Sequence, residues 1–469
     1  MKIKTYISAT LLILLHWSPY MSGQEASSLT LSLEQCRQMS LQNDPSIENA
    51  RLDCLAAKSR KQEALAEYFP SVSVSAFGFW AFKPMLEIGV TDILGDNDFS
   101  RNIENLIAEY APQYGLSPTY TTLKYGWTAS ASLMQPLYAG GRIVNGNRLA
   151  SLGVEAAQSQ YAIKSRSNLQ TLEQNYWQAV SLQEKQKTLL QMEQMLDSLY
   201  KDVSSAVDAG VAVKTDLMQV EMGRNNLRSG ISRLNGGLRL AKMNLFNSIG
   251  QPYAVVKASS DTTRPFIDDI ILDDVLDDFP SPEQCYMPEE QVAAGLDESK
   301  LLQMNVESKR LEKKMAMGEA LPSVGIGASY GYSQILNGRA NGSLYAMVKI
   351  PVSDWGKTSR KMQRLGYQLQ QAENDREYLS SQLVLKVRQL YLELTCSWEQ
   401  LQIARENVEL SRLCAEQMTL NYEAGLSTMS ELMQARTKLR QAYEEQIDQT
   451  IAYRNALTAH TLMTGRRDN

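Results

Sequence analysis

The residue types that usually carry enzymatic or metal chemistry are scarce in this sequence. Its 469 residues include two histidines, His16 and His460, and five cysteines without a Cys-x-x-Cys spacing. Zinc sites need closely spaced cysteine and histidine ligands, and acyl-transfer enzymes need a nucleophile beside a base. Phosphate-binding and dinucleotide-binding glycine motifs are also missing from the sequence. We therefore predict no enzyme, no metal site and no cofactor, and we expect the cysteines to be small buried residues rather than disulfides.

The most distinctive spacing of polar residues occurs in two short segments. The segment "AVDAGVAVKTDLMQV" spans residues 206–220, and "NYEAGLSTMSELMQA" spans residues 421–435, so the two are offset by 215 positions. Each contains a glycine, an apolar residue directly after it, and an acid shortly before a Leu-Met-Gln sequence. Glycine commonly terminates a helix, and an acid favours the first turn of the next helix. Both segments therefore predict a tight turn between two helices.

The same offset relates a much longer part of the chain. Pro136, Gly141 and Gly250 have counterparts 215 positions later in Pro351, Gly356 and Gly465. One inserted residue would rotate the rest of a helix by about 100°. The constant offset therefore predicts a tandem repeat of long helical hairpins, at 141–250 and 356–465. Apolar residues with 3-4-3-4 spacing predict a coiled-coil seam in the first copy, at Leu189, Met192, Leu196, Leu199 and Val203.

The hydrophobic period changes from 3.5 to 2 just before each hairpin. Alternating segments begin at Ser71, Trp127, Val324 and Leu344 and predict four β-strands. Strands of about ten residues match a membrane-crossing β-strand, whose aromatic residues collect at the membrane interface. Such interface residues are predicted at Trp80, Trp127, Tyr330 and Tyr345. Ordinary half-buried hairpins remain the alternative interpretation of these strands.

The membrane interpretation predicts an oligomer. After the N-terminal segment no run of 18 apolar residues occurs, so any crossing of a membrane must use the strands. A sheet in lipid must close into a barrel, and the smallest barrels have about eight strands. Four strands are too few, whereas three copies would supply about twelve, enough to enclose a lumen. The strands therefore predict that several copies share one barrel.

The net charge of the chain limits its possible partners, and its N-terminal segment predicts its location. The formal net charge is -5, so we expect no nucleic-acid partner, because binding to phosphates needs a basic surface. Lys2 and Lys4 precede an apolar stretch, which is followed by small residues near Gly23 that suit a cleavage site. This order is typical of a cleaved secretory signal, which predicts export from the cytoplasm.

The chain resembles the outer-membrane efflux protein family typified by TolC. The resemblance rests on "QPLYAGGR" at residues 135–142, on the paired Pro-Ser-Val sequences that begin two of the strands, and on the twin turns, all in the same order in both copies. It covers residues 29–465. The fold implied is mainly α with a membrane β-barrel, in which four strands per chain complete a twelve-stranded barrel in a homotrimer above a periplasmic tunnel of helices. A passive outer-membrane channel follows, docked onto a periplasmic adaptor and an inner-membrane pump.

Repeat and resemblance together predict the organisation of the chain. The predicted parts are a signal peptide (1–23), a first repeat (24–250) with a long loop (83–126) and a hairpin (141–250), an acidic equatorial segment (251–300), a second repeat (301–465) with a hairpin (356–465), and a tail (466–469). In the acidic segment we expect a solvated linker, because it carries many acids and several prolines.

The resemblance also assigns roles to the two turns. Adaptor docking is implied for Gly210, Val211 and Thr215 of the first turn and for Gly425 and Leu426 of the second, while a periplasmic gate is implied at Asp216, Tyr422 and Glu431. Ser427 and Gln434 stand where the family's archetype has an arginine and an aspartate. An arginine bridge to Asp216 is therefore impossible here, and the closed mouth must be held by other contacts.

Three functions remain open at this point. The first is the channel of a tripartite system that exports drugs or other toxic small molecules. The second is the outer-membrane duct of a type I protein secretion system. The third is a periplasmic coiled-coil adaptor or structural protein, which the doubled strand-and-hairpin unit disfavours, since an adaptor would carry a single hairpin between small β-domains.

Overall fold

The computed structural model describes residues 29–83, 86–114, 120–122, 124–255, 265–273, 279–334 and 338–465. Its helices are α1 (Leu33–Asn43), α2 (Pro45–Ala66), α3 (Val90–Leu94), α4 (Asp98–Tyr110), α5 (Arg142–Asp208), α6 (Lys214–Ser248), α7 (Pro282–Cys285), α8 (Glu289–Gly295), α9 (Asp297–Gly318), α10 (Lys357–Glu423) and α11 (Met429–Thr464). Its strands are β1 (Leu29–Leu31), β2 (Ser71–Trp80), β3 (Leu86–Ile88), β4 (Tyr120–Thr122), β5 (Tyr125–Ala139), β6 (Ile270–Leu272), β7 (Ser323–Ser333) and β8 (Arg339–Lys349). The predicted signal peptide and tail lie outside the described residues.

The two long helices α5 and α10 contain 67 residues each. Neither contains a proline, so no backbone donor is lost along their length. A helix of that length rises by about 100 Å. Each is followed by a turn of five residues and a return helix, α6 after α5 and α11 after α10. The predicted tandem arrangement of a strand pair followed by a long helical hairpin is confirmed.

The chain divides into two units that are described separately. One unit comprises residues 1–49, 164–292 and 384–469, and the other comprises residues 50–163 and 293–383. The first contains both hairpin turns, and the second contains the four-stranded sheet. No helix among the described residues is both long enough and apolar enough to cross a membrane.

The sheet of the second unit has the strand order β2-β5-β7-β8 and is antiparallel throughout. Strand β2 pairs with β5 from Ser71 opposite Met134 to Trp80 opposite Tyr125. Strands β7 and β8 form a hairpin in which Ser323 lies opposite Lys349. Within the described chain, β2 and β8 therefore each have one edge without a partner strand.

The register gives the sheet one polar face and one apolar face. On the polar face, serine hydroxyls of neighbouring strands lie within hydrogen-bonding distance in three pairs: Ser73 with Ser132, Ser75 with Ser130, and Ser329 with Ser343. On the apolar face, Val72 lies opposite Leu133, which in turn lies opposite Ala328. Alternation along each strand produces this separation, since successive side chains point to opposite faces.

The aromatic residues predicted for the membrane interface do not all share a face. Trp80, Trp127 and Tyr330 lie on the apolar face. Tyr345 lies opposite Gly327 on the polar face, and its ring occupies the space where a side chain at Gly327 would stand. Tyr345 thus points to the opposite side of the sheet from the other three, because successive side chains of a strand alternate between the two faces.

The predicted loop at 83–126 contains more regular structure than the sequence indicated. Helix α4 extends over Asp98–Tyr110 within it. Helix α3 and the antiparallel pair of β3 and β4 were not expected. Three-residue strands carry too few residues to show an alternating pattern, so their pairing left no signal in the sequence.

The acidic segment is anchored more firmly than a solvated linker. Strand β6 pairs in parallel with β1, and Ile267, Ile270 and Leu272 are buried in the apolar core of the first unit. The Gln183 side chain of α5 donates to the Leu272 carbonyl and accepts from its amide, at 2.9 and 3.2 Å. The ammonium of Lys242 donates to the Ile270 carbonyl at 2.6 Å, while burial lowers its pKa. The prediction of a solvated linker is therefore wrong for the residues around β6. Their few apolar side chains stand among many acids, so the sequence pattern did not reveal that they are buried.

The five cysteines are free thiols in the structure. Cys36 and Cys285 are buried, as predicted, whereas Cys396 and Cys414 are exposed on α10. The coiled-coil seam is observed, since Leu189, Leu196 and Val203 are buried. His460 also lies in the core, with its ring 6.0 Å from that of Tyr391.

Candidate functional site: the two hairpin turns

The two hairpin turns have nearly the same backbone. Gly210 and Gly425 have φ angles of 74° and 72°, the left-handed region that favours glycine. The Val211 amide donates to the Ala206 carbonyl at 2.9 Å, and the Leu426 amide donates to the Asn421 carbonyl at 2.8 Å. These six-residue hydrogen bonds close the last turn of α5 and α10 in a Schellman arrangement. The glycines are thus explained by helix termination alone.

The apolar residue after each glycine is not explained in that way. In a Schellman turn this residue commonly packs back onto its own helix. Val211 is 83% exposed and Leu426 is 79% exposed, so neither side chain makes that contact. Two solvent-exposed apolar side chains at equivalent positions of two turns leave an apolar surface available to another molecule.

The return helices begin differently in the two copies. Helix α11 is capped by Thr428, whose hydroxyl accepts from the Glu431 amide while the Glu431 carboxylate accepts from the Thr428 amide at 2.8 Å. These hydrogen bonds lower the pKa of Glu431. Helix α6 has Val213 at its cap without a side-chain hydrogen bond. Thr215 is exposed in its first turn beside Asp216, where an acid is favoured by the helix dipole.

An apolar cluster holds the two turns together. Val203 of α5, Val220 of α6, and Met429 and Leu432 of α11 are buried in it, and Tyr422 of α10 packs against it. Met429 is 1% exposed and Leu432 is fully buried. All four long helices thus contribute to one core at the turns. Met429 and Leu432 were not singled out from the sequence, although they follow the turn with apolar spacing.

Within this cluster the structure brings together two of the three predicted gate residues. The Tyr422 hydroxyl of the second hairpin interacts with the Asp216 carboxylate of the first hairpin. Burial raises the pKa of Tyr422, and the neighbouring Asp216 charge and hydrogen bond raise it further. A neutral phenol beside a carboxylate can donate a charge-assisted hydrogen bond. This polar contact ties the two hairpins to each other.

The remaining residues near the gate have other partners. Glu431 is occupied by the cap of its own helix, as described above. The Ser427 hydroxyl donates to the Met418 carbonyl at 3.4 Å, and the Gln434 side chain is exposed. Neither side chain carries a positive charge, so neither can form an ion pair with the Asp216 carboxylate.

The first hairpin contains an ion pair near its turn, between Arg224 and Asp197, that was not predicted from the sequence. Arg224 lies on α6, the return helix of the first hairpin. It pairs with Asp197 of α5 at 2.5 Å, and its guanidinium lies 4.5 Å from the centre of the Tyr200 ring. The pair crosses the first hairpin, so it stiffens that hairpin without reaching the second. An acid and an arginine on facing helices were the signal that could have identified it.

Comparison with known proteins identifies the family. The model of the outer membrane efflux protein family matches residues 36–251 and 302–466. Among solved structures, CusC covers 95% of each chain at 12% identity with a TM-score of 0.73. The CmeC outer membrane channel of Campylobacter jejuni matches 93% of this chain and 87% of its own at 12% identity, with a TM-score of 0.71. VceC of Vibrio cholerae covers 92% and 96% at 13% identity, also with a TM-score of 0.71.

At these identities the structural likeness shows a shared fold. No curated protein sequence matches the chain significantly. The family match, in contrast, extends over most of both repeats, including the strands and the two turns. The chain therefore belongs to the outer membrane efflux protein family, whose channels lie in the outer membrane with a helical tunnel in the periplasm.

Proposed function

We propose that the protein is the passive outer-membrane duct of a tripartite efflux system, acting as a homotrimer. The observation that carries this proposal is the four-stranded sheet, whose edge strands β2 and β8 lack partners within the described chain. Each unpaired backbone group in lipid costs several kcal/mol. Three chains joined through these edges would form a closed barrel of about twelve strands. Its apolar face would meet lipid, and the serine-bearing face would line an aqueous passage.

The duct has no energy source of its own in this proposal. An inner-membrane pump drives drugs or other toxic small molecules, and a periplasmic adaptor couples that pump to the channel. The exposed Val211 and Leu426 side chains support adaptor docking at the turns, since they are apolar and unpacked. Gly210, Thr215 and Gly425 set the backbone of that docking surface.

Opening would separate the second hairpin from the first. The Tyr422 contact with Asp216 joins these hairpins and is the element that docking would release. Glu431 supports the gate indirectly by fixing the start of α11. A partner that binds the separated arrangement more tightly shifts the population toward the open state.

The first experiment tests the duct itself. Membranes of an expressing cell are fractionated, and the protein is extracted in mild detergent and inserted into a planar bilayer. We expect the protein in the outer-membrane fraction, a complex of three chains, and ion conductance. A monomer recovered from the soluble periplasm would sink the proposal.

The second experiment tests docking. Val211→Glu and Leu426→Glu place a charge on the exposed turns and should abolish export of a fluorescent dye while the trimer still assembles. Leu240→Glu is the matched control, because Leu240 is 59% exposed on α6 and lies away from the turn. Normal export by both turn variants would refute the docking assignment. Secretion of a polypeptide instead of the dye would favour a type I secretion duct.

A further inference from the structure

A cavity of about 700 Å³ lies between the first hairpin and helix α11 in the first unit. It is distinct from the turn cluster, and neither the gate nor the docking surface uses it. Leu189, Met192 and Leu227 form part of its apolar wall. A cavity of this size is typical of a site for a small organic molecule, which usually occupies about 300–1,000 Å³.

Glycines of α6 explain why this space exists. Gly223, Gly230 and Gly237 recur every seven residues on the side of α6 that lines the cavity. At Gly223 the space of the absent side chain is filled, because Met433 of α11 reaches within 2.3 Å of the position a Cβ would take. A Cβ at Gly230 would meet no atom within 4 Å, and one at Gly237 would meet only Leu182, at 4.0 Å. The groove is thus closed at one end by Met433 and open along the rest.

The charges around the cavity are mostly positive. Four cations and a single carboxylate belong to its lining: Lys185, Arg233, Arg436, Arg440 and Glu444. Arg440 pairs with Glu444 at 2.5 Å, and Lys185 pairs with Asp448 at 2.5 Å. These two cations are therefore neutralised by neighbours.

The other two cations have no such compensation. Among the residues that the structure describes, neither Arg233 nor Arg436 forms an ion pair, and the guanidinium of Arg233 donates only to the Ser229 hydroxyl, at 3.3 Å. Burial lowers the pKa of Arg436. Arg233 is exposed, whereas Arg436 is half-buried, and a half-buried guanidinium with free donors is costly unless an anion satisfies it. The two arginines come from different helices, α6 and α11, and both line the same apolar space.

From this geometry we infer that the cavity is a binding site for a small anionic amphiphile, an organic carboxylate or sulfonate with an apolar body. The anionic head would receive hydrogen bonds from Arg233 and Arg436, and the apolar body would lie along the groove left by Gly230 and Gly237. Three methionines in the lining, Met192, Met195 and Met433, provide a surface that adapts to different apolar shapes. Because the site joins α6 to α11, its ligand would bridge the two hairpins.

The test measures binding and is independent of the export function. The probe is 8-anilinonaphthalene-1-sulfonate, an aromatic sulfonate whose fluorescence increases in apolar sites. It is titrated into the full-length protein in lipid nanodiscs, and the signal of empty nanodiscs is subtracted. Gly230→Leu fills the groove, and Arg436→Gln removes one cation. Gly236→Leu and Arg228→Gln are the matched controls, since neither residue lines the cavity and Arg228 pairs with Glu193.

We expect each of the two cavity variants to weaken the probe's Kd by about tenfold, the loss of one charge-assisted contact or of the apolar groove. The control variants should bind as the unaltered protein does. Circular dichroism and the mass of the complex verify that all four variants fold. Decanesulfonate should displace the probe, whereas a cationic surfactant of equal chain length should not. Equal binding of the probe by all four variants, or displacement by both surfactants alike, would overturn the assignment.

Discussion

The contact between Tyr422 and Asp216 offers the sharpest test of the gate. Tyr422→Phe removes the hydroxyl that interacts with Asp216 and keeps the ring that packs on the apolar cluster at the turns. A hydrogen bond to a charged group contributes about 1.5–3 kcal/mol when it is buried. Tyr422 is half-buried, so solvent screening reduces the expected loss to about 1 kcal/mol per chain, a shift of about fivefold in the population of the separated state.

If three chains open together, the losses add. The total is then about 3 kcal/mol, and the ratio of open to closed channels rises by roughly 100-fold. Single-channel recording in a planar bilayer measures this ratio as the open probability. Tyr200→Phe is the matched control, because the Tyr200 ring packs near the same cluster and contacts Arg224 instead of Asp216.

A double-mutant cycle separates the pairwise contact from general destabilisation. Asp216→Asn should raise the open probability as Tyr422→Phe does, and the double variant should add little to either single variant. An unchanged open probability in Tyr422→Phe would refute the reasoning. The same increase in Tyr200→Phe would refute it as well, since it would assign the effect to loosened packing.

Three further predictions concern the pH response, the turns and the sheet. The pKa of Tyr422 is raised above its ordinary value of 10.0, so its contact with Asp216 should persist below pH 10. The contact should be lost as the pH rises through that raised pKa, and the open probability should then increase in alkaline buffer. Gly210→Ala should lower the free energy of unfolding by about 1 kcal/mol, because Gly210 has a positive φ. Gly153→Ala, inside α5 near its start, should raise the free energy of unfolding by about 0.5–1 kcal/mol. Chemical denaturation measures both changes. Val74→Lys on the apolar face should cost about 2–4 kcal/mol in folding into lipid vesicles, while Ser75→Lys on the opposite face should cost far less. Equal costs for the two lysine variants would contradict the face assignment.

The repeated architecture was accessible from the sequence for physical reasons. Long helices keep their register, so the offset between "AVDAGVAVKTDLMQV" and "NYEAGLSTMSELMQA" survived without insertions. The change of period from 3.5 to 2 likewise located β2, β5, β7 and β8. The resemblance to the outer-membrane efflux proteins, the mainly helical fold with its four-stranded sheet and the outer-membrane location are confirmed by the family match and the solved structures. Closure of the barrel by three chains stays a prediction.

Local detail was less accessible. The face on which Tyr345 lies was not predicted, because it depends on strand register, and a shift of one residue reverses the face. The parallel pair of β1 and β6 was hidden because each strand is only three residues long. At the gate, sequence similarity suggested Glu431 as a direct participant, but its capping position next to Thr428 gives its carboxylate a local partner.

The contact from Tyr422 to Asp216 and the open cavity beside Gly230 illustrate a second limit. Both depend on how the second hairpin packs against the first, a contact between residues about 200 positions apart. Periodicity within one helix fixes its apolar side but not the helix that covers it. The roles of the docking, gate and membrane-interface residues accordingly stay predictions for the experiments described above.

In the proposed channel, three chains join through the unpaired edges of β2 and β8. Electron cryomicroscopy of the protein in lipid nanodiscs tests this arrangement most directly. We expect a threefold-symmetric particle in which β8 of each chain pairs with β2 of the next, with serines facing a continuous passage. A particle with a single chain and an open sheet edge, or a closed barrel whose serine-bearing face meets the lipid, would contradict it.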